Sequence, residues 1–309
     1  MPEPASPITP AEQKRLLKLA THASVIVAAT LVLAKLAAYW YTSSVSVLAS
    51  LIDSLMDIAA SMINLLAVNY ALSPPDEEHR FGHGKAESVA GLAQAMFIAG
   101  SGMFLILEAI SRLLHPKPIE ELGIGLSVMI FAVIATLILI AIQQYVIRRT
   151  NSAAIRADSL HYKTDVLTNG AIIVALLMSQ MGWAGVDPVF AIAIACYILY
   201  SAWGIGKEAF HDLLDHELPQ EKRELIITIA KEHPKVRGMH DLRTRLSGRT
   251  EFIQMHLELD DHLPLVEAHA IADEVELKIK KALPASDVVI HQDPVSSMHP
   301  HEQPLFTKE

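Results

Sequence analysis

Six stretches of about 20 mostly apolar residues follow one another through the first two thirds of the chain. They lie near residues 20–42, 46–72, 86–113, 122–147, 160–182 and 186–211. A helix of that length crosses a hydrocarbon core of ~30 Å, so the pattern predicts six transmembrane helices. The first stretch is too long for a signal-peptide core and lacks a clear cleavage site. The second and fifth are interrupted by charged residues, and a charge inside a bilayer is costly enough to mark a function. Gly91, Gly100, Gly102, Gly204 and Gly206 read as positions where helix backbones approach closely.

From about residue 214 the pattern becomes that of a water-soluble fold. Residues 219–233 are amphipathic, with Leu225, Ile226, Ile229 and Ala230 on one face. Residues 237–246 and 251–259 alternate as strands around Ser247-Gly248-Arg249. Pro264 opens a second helix that runs to about 282, Pro284 follows its end, and 286–292 reads as a third strand. The expected organisation is a membrane domain over 1–213, a small α+β domain of order αββαβ over 214–295, and a disordered tail over 296–309.

Composition agrees with a protein that is partly in lipid. Apolar residues make up 51% of the 309, and charged residues 19%, below the ~25% usual in soluble domains. Mean hydropathy is +0.32. A net charge of −9 argues against a nucleic-acid partner. The single cysteine, Cys196, excludes an internal disulfide and a cysteine-based zinc site. The positive charges also give an orientation. Lys14, Arg15, Lys18, Arg80, Lys85, Arg148, Arg149, Arg156 and Lys163 fall on one side, and little beyond Arg112 and Lys117 falls on the other. Both termini are therefore expected in the cytoplasm.

Three groups of residues carry metal-type chemistry. Asp53 and Asp57 lie four apart in the second span, and His161 and Asp165 lie four apart in the fifth. That spacing puts each pair on one helix face. Like charges in lipid must be protonated, paired with a cation or exposed to a cavity. Carboxylates with one imidazole suit a tetrahedral dication of borderline softness, above all Zn²⁺, whereas Mg²⁺ and Ca²⁺ favour more oxygen ligands. Imidazole titrates near neutrality, so His161 is the member of this set whose charge changes in that range. A second group, Asp76, His79 and His83, lies in the polar loop between the second and third spans. In the soluble domain the candidates are His240, His256, His269, His291 and Asp293. His299 and His301 read as incidental; Lys35 and Glu108 read as snorkelling or paired; Asn64, Gln94 and Asn169 read as interhelical hydrogen-bonders.

The motifs LIDSLMD (51–57), FGHGKAES (81–88), ADSLHYKTD (157–165), HDLRTR (240–245) and IHQDP (290–294) together resemble the cation diffusion facilitators, in the bacterial YiiP-like branch of ferrous-iron and zinc efflux proteins. The resemblance covers nearly the whole chain. It implies six transmembrane helices, a cytoplasmic metallochaperone-like (ferredoxin-like) domain, a homodimer in the bacterial inner membrane, and Zn²⁺/H⁺ antiport out of the cytoplasm. It implies that Asp53, Asp57, His161 and Asp165 form the transport site. Asp76, His79 and His83 would then be the loop site, and His240, His256, His269, His291 and Asp293 a binuclear cytoplasmic site. Fe²⁺ and Cd²⁺ are the alternative substrates, and a metal sensor without transport is the rival of another class. A membrane metallohydrolase is disfavoured, because no HExxH is present and four ligands would leave no open position.

Overall fold

The computed structural model describes residues 9–42, 45–114, 123–180, 187–297 and 305–307. The chain divides into two compact units, Met1–Phe210 and His211–Glu309.

The first unit is built on six long helices: α1 (Pro10–Thr42), α2 (Val45–Ala71), α3 (Lys85–Leu114), α4 (Gly123–Thr150), α5 (Ala153–Gln180) and α6 (Asp187–Leu213). Each overlies one of the six apolar stretches. Among the described residues four of them, over Ala11–Tyr41, Ser50–Ala71, Lys85–Ser111 and Ser127–Thr150, are long and apolar enough to cross a membrane by length and composition. The polarity of this unit runs inside out. Ile26, Leu33, Leu66, Phe104, Ile138 and Trp203 are each more than half exposed, while Ser24, Asn64, Gln94, Gln143 and Asp158 are buried. Water would penalise that arrangement, and lipid favours it, because polar groups in hydrocarbon must find partners inside.

The helix ends follow local chemistry. Thr9 Oγ1 accepts from the Glu12 backbone N–H at 3.2 Å and caps α1. Asn151 adopts the left-handed conformation (φ 51°) that ends α4, and Ser152 Oγ accepts from the Ile155 N–H at 3.3 Å to start α5. Two residues therefore reverse the chain between α4 and α5. Of the small residues expected at helix crossings, Gly102, Gly206 and Gly91 hold that role. A Cβ on Gly102 would lie 3.1 Å from Ile198 Cγ2, on Gly206 3.4 Å from Ala95 and on Gly91 3.6 Å from Ala209, so α3 crosses α6 closely. Gly100 and Gly204 do not, since nothing lies within 4 Å of the added carbon. Sequence spacing alone does not say which face of a helix meets a neighbour.

The second unit follows the expected order helix–strand–strand–helix–strand: α7 (Gln220–Glu232), β1 (Gly238–Ser247), β2 (Thr250–Leu259), α8 (Leu265–Ala282) and β3 (Ser286–Pro294). β1 and β2 pair antiparallel across Gly248 (φ 59°), and β2 and β3 pair parallel with α8 as the crossover. Ile226, Ile229, Met239, Ile253, Met255, Leu257, Ile271, Val275 and Ile279 form the core between sheet and helices. The expected tail from 296 is corrected in part. Residues 295–297 form a 3₁₀ turn, and Phe306–Thr307 is a fourth strand, β4, antiparallel to β1. The sheet order is β3-β2-β1-β4. β4 gains register from Phe306, which packs on the core, a tertiary contact that two residues of sequence do not announce. His299, His301 and the rest of the tail lie outside the described residues.

Candidate metal centres

In the first unit α2 and α5 bring three of the four intramembrane candidates together. His161 Nε2 lies 3.0 Å from Asp57 Oδ1 and 3.9 Å from Asp165 Oδ2. One ligand atom from each of Asp57, His161 and Asp165 lies within 4.8 Å of the others, the spacing that a single ion bridges. Asp53 is outside this trio and exposed in the single chain. One turn of α2, about 6 Å of rise, separates its carboxylate from that of Asp57. Lys35 of α1 reaches across to α2, donating to Ser54 Oγ at 2.6 Å and to the Ser50 carbonyl at 3.1 Å, and its charge acts on Asp53.

A residue not singled out from the sequence orients α5. Asp158 is fully buried three residues before His161. Its carboxylate accepts from Ser24 Oγ at 2.6 Å, Gln143 Nε2 at 2.8 Å and Gln94 Nε2 at 3.5 Å. Tyr162 adds a hydrogen bond with Ser61 Oγ at 2.7 Å. Side chains from α1, α2, α3 and α4 thus grip α5 beside the trio. Gln94 does bond across helices, as read from the sequence; the acceptor is the signal that was missed.

The loop candidates, Asp76, His79 and His83, also converge. Asp76 Oδ1 accepts backbone N–H groups from His79 at 2.6 Å and Glu78 at 3.0 Å, a local turn that competes with helix and starts the loop. The His79 N–H in particular holds the exposed Asp76 carboxyl below the usual carboxylate range. Gly82, at φ 80°, allows the reversal that brings His83 back toward Asp76, with Nε2 3.2 Å from Oδ2. His83 is buried against Tyr70, with ring centroids 4.4 Å apart, while His79 remains exposed.

In the second unit strand register forms the site. His240 pairs with His256, and His256 with His291, so three imidazoles stand in a row across β1, β2 and β3. Alternation along β2 sends Ile253, Met255 and Leu257 to the core and His256 to the opposite face. Asp293 sits centrally. Its Oδ2 is 2.7 Å from His256 Nδ1 and 3.5 Å from His240 Nε2, and its Oδ1 is 3.2 Å from His291 Nε2. His240, His256 and Asp293 meet the single-ion spacing. His269 does not join them. It is exposed on α8 with Nε2 3.5 Å from Asp273, because α8 commits Ile271, Val275 and Ile279 to the core face of the sheet and the imidazole row lies on the other. Two further acidic residues border the row. Asp241 occupies a β-bulge at φ 47°, 3.9 Å from His256, and Glu258 is buried with Oε1 3.1 Å from His240 Nδ1.

The family profile described as the cation efflux transmembrane domain matches residues 21–214, and that of the cation efflux protein cytoplasmic domain matches 218–295. The cation-efflux pump FieF of Klebsiella pneumoniae subsp. pneumoniae is 54% identical over 294 residues, covering 95% of this chain and 98% of the pump. That of Citrobacter koseri is 54% identical over 282 residues, covering 91% and 94%. A solved structure of CzrB in its zinc form aligns at 32% identity over 28% of this chain and 98% of its own, with a TM-score of 0.26. By the two matched domains and the identity carried along nearly its full length, the chain belongs to the cation diffusion facilitator family, in the YiiP-like branch of the FieF pumps.

Proposed function

We propose that this protein exports divalent metal, Zn²⁺ above all, from the cytoplasm in exchange for protons. The observation that carries the reading is the convergence of Asp57, His161 and Asp165 from two helices of a bundle whose outer faces are apolar. The FieF pumps, 54% identical, carry cation efflux in their name, and their covered length leaves no large part of the pump unmatched. In this reading α1–α6 all span the bacterial inner membrane, both termini are cytoplasmic, and the chain works as a homodimer. Lipid is its solvent over the bundle.

Exchange follows from the donors. Carboxylates and imidazole bind metal only when deprotonated, so metal and protons compete for one set of atoms. Facing the cytoplasm near neutrality, Asp57, His161 and Asp165 take up the ion, with Asp53 as the fourth ligand. Facing an acidic exterior they take up protons and release it, with His161 as carrier. Alternation of helix packing switches the access, and the ion biases the populations of the two states. The mixed N/O donor set favours Zn²⁺ over Mg²⁺ or Ca²⁺; Fe²⁺ and Cd²⁺ are the competing substrates. Asp76, His79 and His83 form a loop metal site. His240, His256, His291 and Asp293, with His269 supplied across the dimer, form a cytoplasmic zinc centre that stabilises the assembly.

Proteoliposomes with an imposed pH gradient and a panel of Zn²⁺, Fe²⁺, Cd²⁺ and Mn²⁺ test this. Zinc flux should require and dissipate the proton gradient, and Asp57→Ala should abolish it while the protein stays folded. Undiminished flux in Asp57→Ala, or flux indifferent to the gradient, would overturn the reading.

A further inference from the structure

The cytoplasmic imidazole row contains a pair with unusual burial. His240 and Glu258 side chains are 2% and 1% exposed, although the row as a whole lies on the sheet face away from the core. A carboxylate so enclosed is costly unless a partner compensates it, and Glu258 Oε1 reaches His240 Nδ1 at 3.1 Å.

Strand register explains how it gets there. Glu258 pairs with Gly238, and His256, two residues earlier on β2, pairs with His240. Glu258 is therefore diagonal to His240 on the same face. Diagonal contact needs the opposing position to be empty, and Gly238 empties it. A Cβ there would stand 2.1 Å from Glu258 Oε2 and 2.9 Å from Oε1. The carboxylate fills the space that a side chain would take and turns from it toward the ring.

The consequence concerns the two ring nitrogens. A neutral imidazole carries its proton on one nitrogen and offers a lone pair on the other. Nδ1 of His240 faces Glu258, while Nε2 faces Asp293 at 3.5 Å, inside the group that a single ion would bridge. We infer that Glu258 is the positioning residue of the cytoplasmic centre: it accepts the Nδ1–H of His240 and so commits Nε2 to the metal, with Gly238 as the vacancy that admits it. The arrangement is a carboxylate–histidine–metal relay, in which the outer carboxylate fixes the tautomer and raises the basicity of the ligand. Metal loading also resolves the burial, because a neutral ring then satisfies the carboxylate on one side and the ion on the other. This rests on the cluster being a zinc site, as proposed above.

The test uses full-length protein in detergent with Asp57→Ala and His79→Ala in the background, so that bound Zn²⁺ reports the cytoplasmic centre. Chelator-competition isotherms should show Glu258→Leu binding about 10- to 100-fold more weakly than the parent. Glu258→Gln keeps an oxygen that accepts from Nδ1–H and should recover most of that loss, which a role in charge alone would not produce; the ring-nitrogen spectrum separates the inference from a role in packing alone. In zinc-loaded parent protein labelled with ¹⁵N-histidine, the ring signal that disappears in His240→Ala should show a protonated Nδ1 and a metal-bound Nε2. Parent-like affinity in Glu258→Leu, a Gln variant as weak as the Leu variant, or a metal-bound Nδ1 would each overturn the inference. If Glu258→Leu does not fold, the ring-nitrogen spectrum decides alone. The underlying site reading fails separately: His240→Ala would then leave the isotherm unchanged.

Discussion

Asp158 brings its carboxyl group into the bundle with three neutral donors around it, from Ser24, Gln94 and Gln143. Replacing it by Leu removes the acceptor these donors share, while Ser24 still reaches the Ala20 carbonyl at 3.0 Å, Gln94 the Ala60 carbonyl at 3.4 Å and Gln143 the Ser24 Oγ at 3.1 Å. Loss of a buried acceptor from such a network costs about 1–3 kcal/mol, so Asp158→Leu should lower stability by that order and reduce the folded yield. Asp158→Asn keeps an acceptor and lets the glutamine amides turn, and should cost far less. Thermal unfolding in detergent reads both; equal, negligible losses would mean that the network does not clamp α5. His161→Asp makes a different demand. An all-carboxylate site is harder, so discrimination of Zn²⁺ against Mn²⁺ in the proteoliposome panel should weaken. An unchanged preference would place selectivity outside this ring. The sequence exposes His161, Asp57 and Asp165 because each belongs to a pair of polar residues one turn apart within an apolar run. Asp158 escapes the same reading because its partners are 15, 64 and 134 residues away, and no local spacing reports a contact of that range. Asp53 and His269 show the converse: both match a ligand pattern, and neither meets its group within one chain.

Secondary-structure elements were legible wherever periodicity ran long. The six apolar stretches became α1–α6, and the αββαβ order of the second unit was readable from alternation and prolines. What periodicity does not give is which side of a helix meets which neighbour, and the glycines show this. Gly102 and Gly100 are two residues apart on α3 and look equivalent in sequence. Gly102→Val would drive its branched carbon into Ile198 and Leu199 of α6, already at 3.1–3.2 Å from a simple Cβ, and overpacking of this kind costs about 1–3 kcal/mol. Gly100→Ala meets nothing within 4 Å and should be neutral or stabilising by about 0.5–1 kcal/mol through helix propensity. The pair, measured by melting temperature in one detergent, isolates the α3–α6 crossing. Loss of stability at Gly100 and none at Gly102 would reverse the assignment of the packed face.

At the scale of the whole molecule the two units differ in what surrounds their metal-type groups, and that difference predicts a division of labour. In the first unit the trio lies between helices whose outer faces are apolar, and in the proposed reading helix motion opens the ion's path. In the second unit the imidazole row sits on a sheet whose strand order is fixed by backbone ladders. A site of the first kind couples binding to access; a site of the second kind adds binding energy to whichever state is folded and assembled. The double variant His240→Ala, His291→Ala should therefore lose cytoplasmic zinc by elemental analysis and melt at a lower temperature. Its zinc-to-proton exchange in proteoliposomes should remain gradient-dependent and keep the metal preference of the wild type, because the competing donors on α2 and α5 are untouched. A slower rate would fit the proposed homodimer, which loss of zinc would make less rigid. A changed metal preference would not fit, because selection would then reside in the row of histidines, and the exchange chemistry would have to be reassigned from the bundle to the sheet.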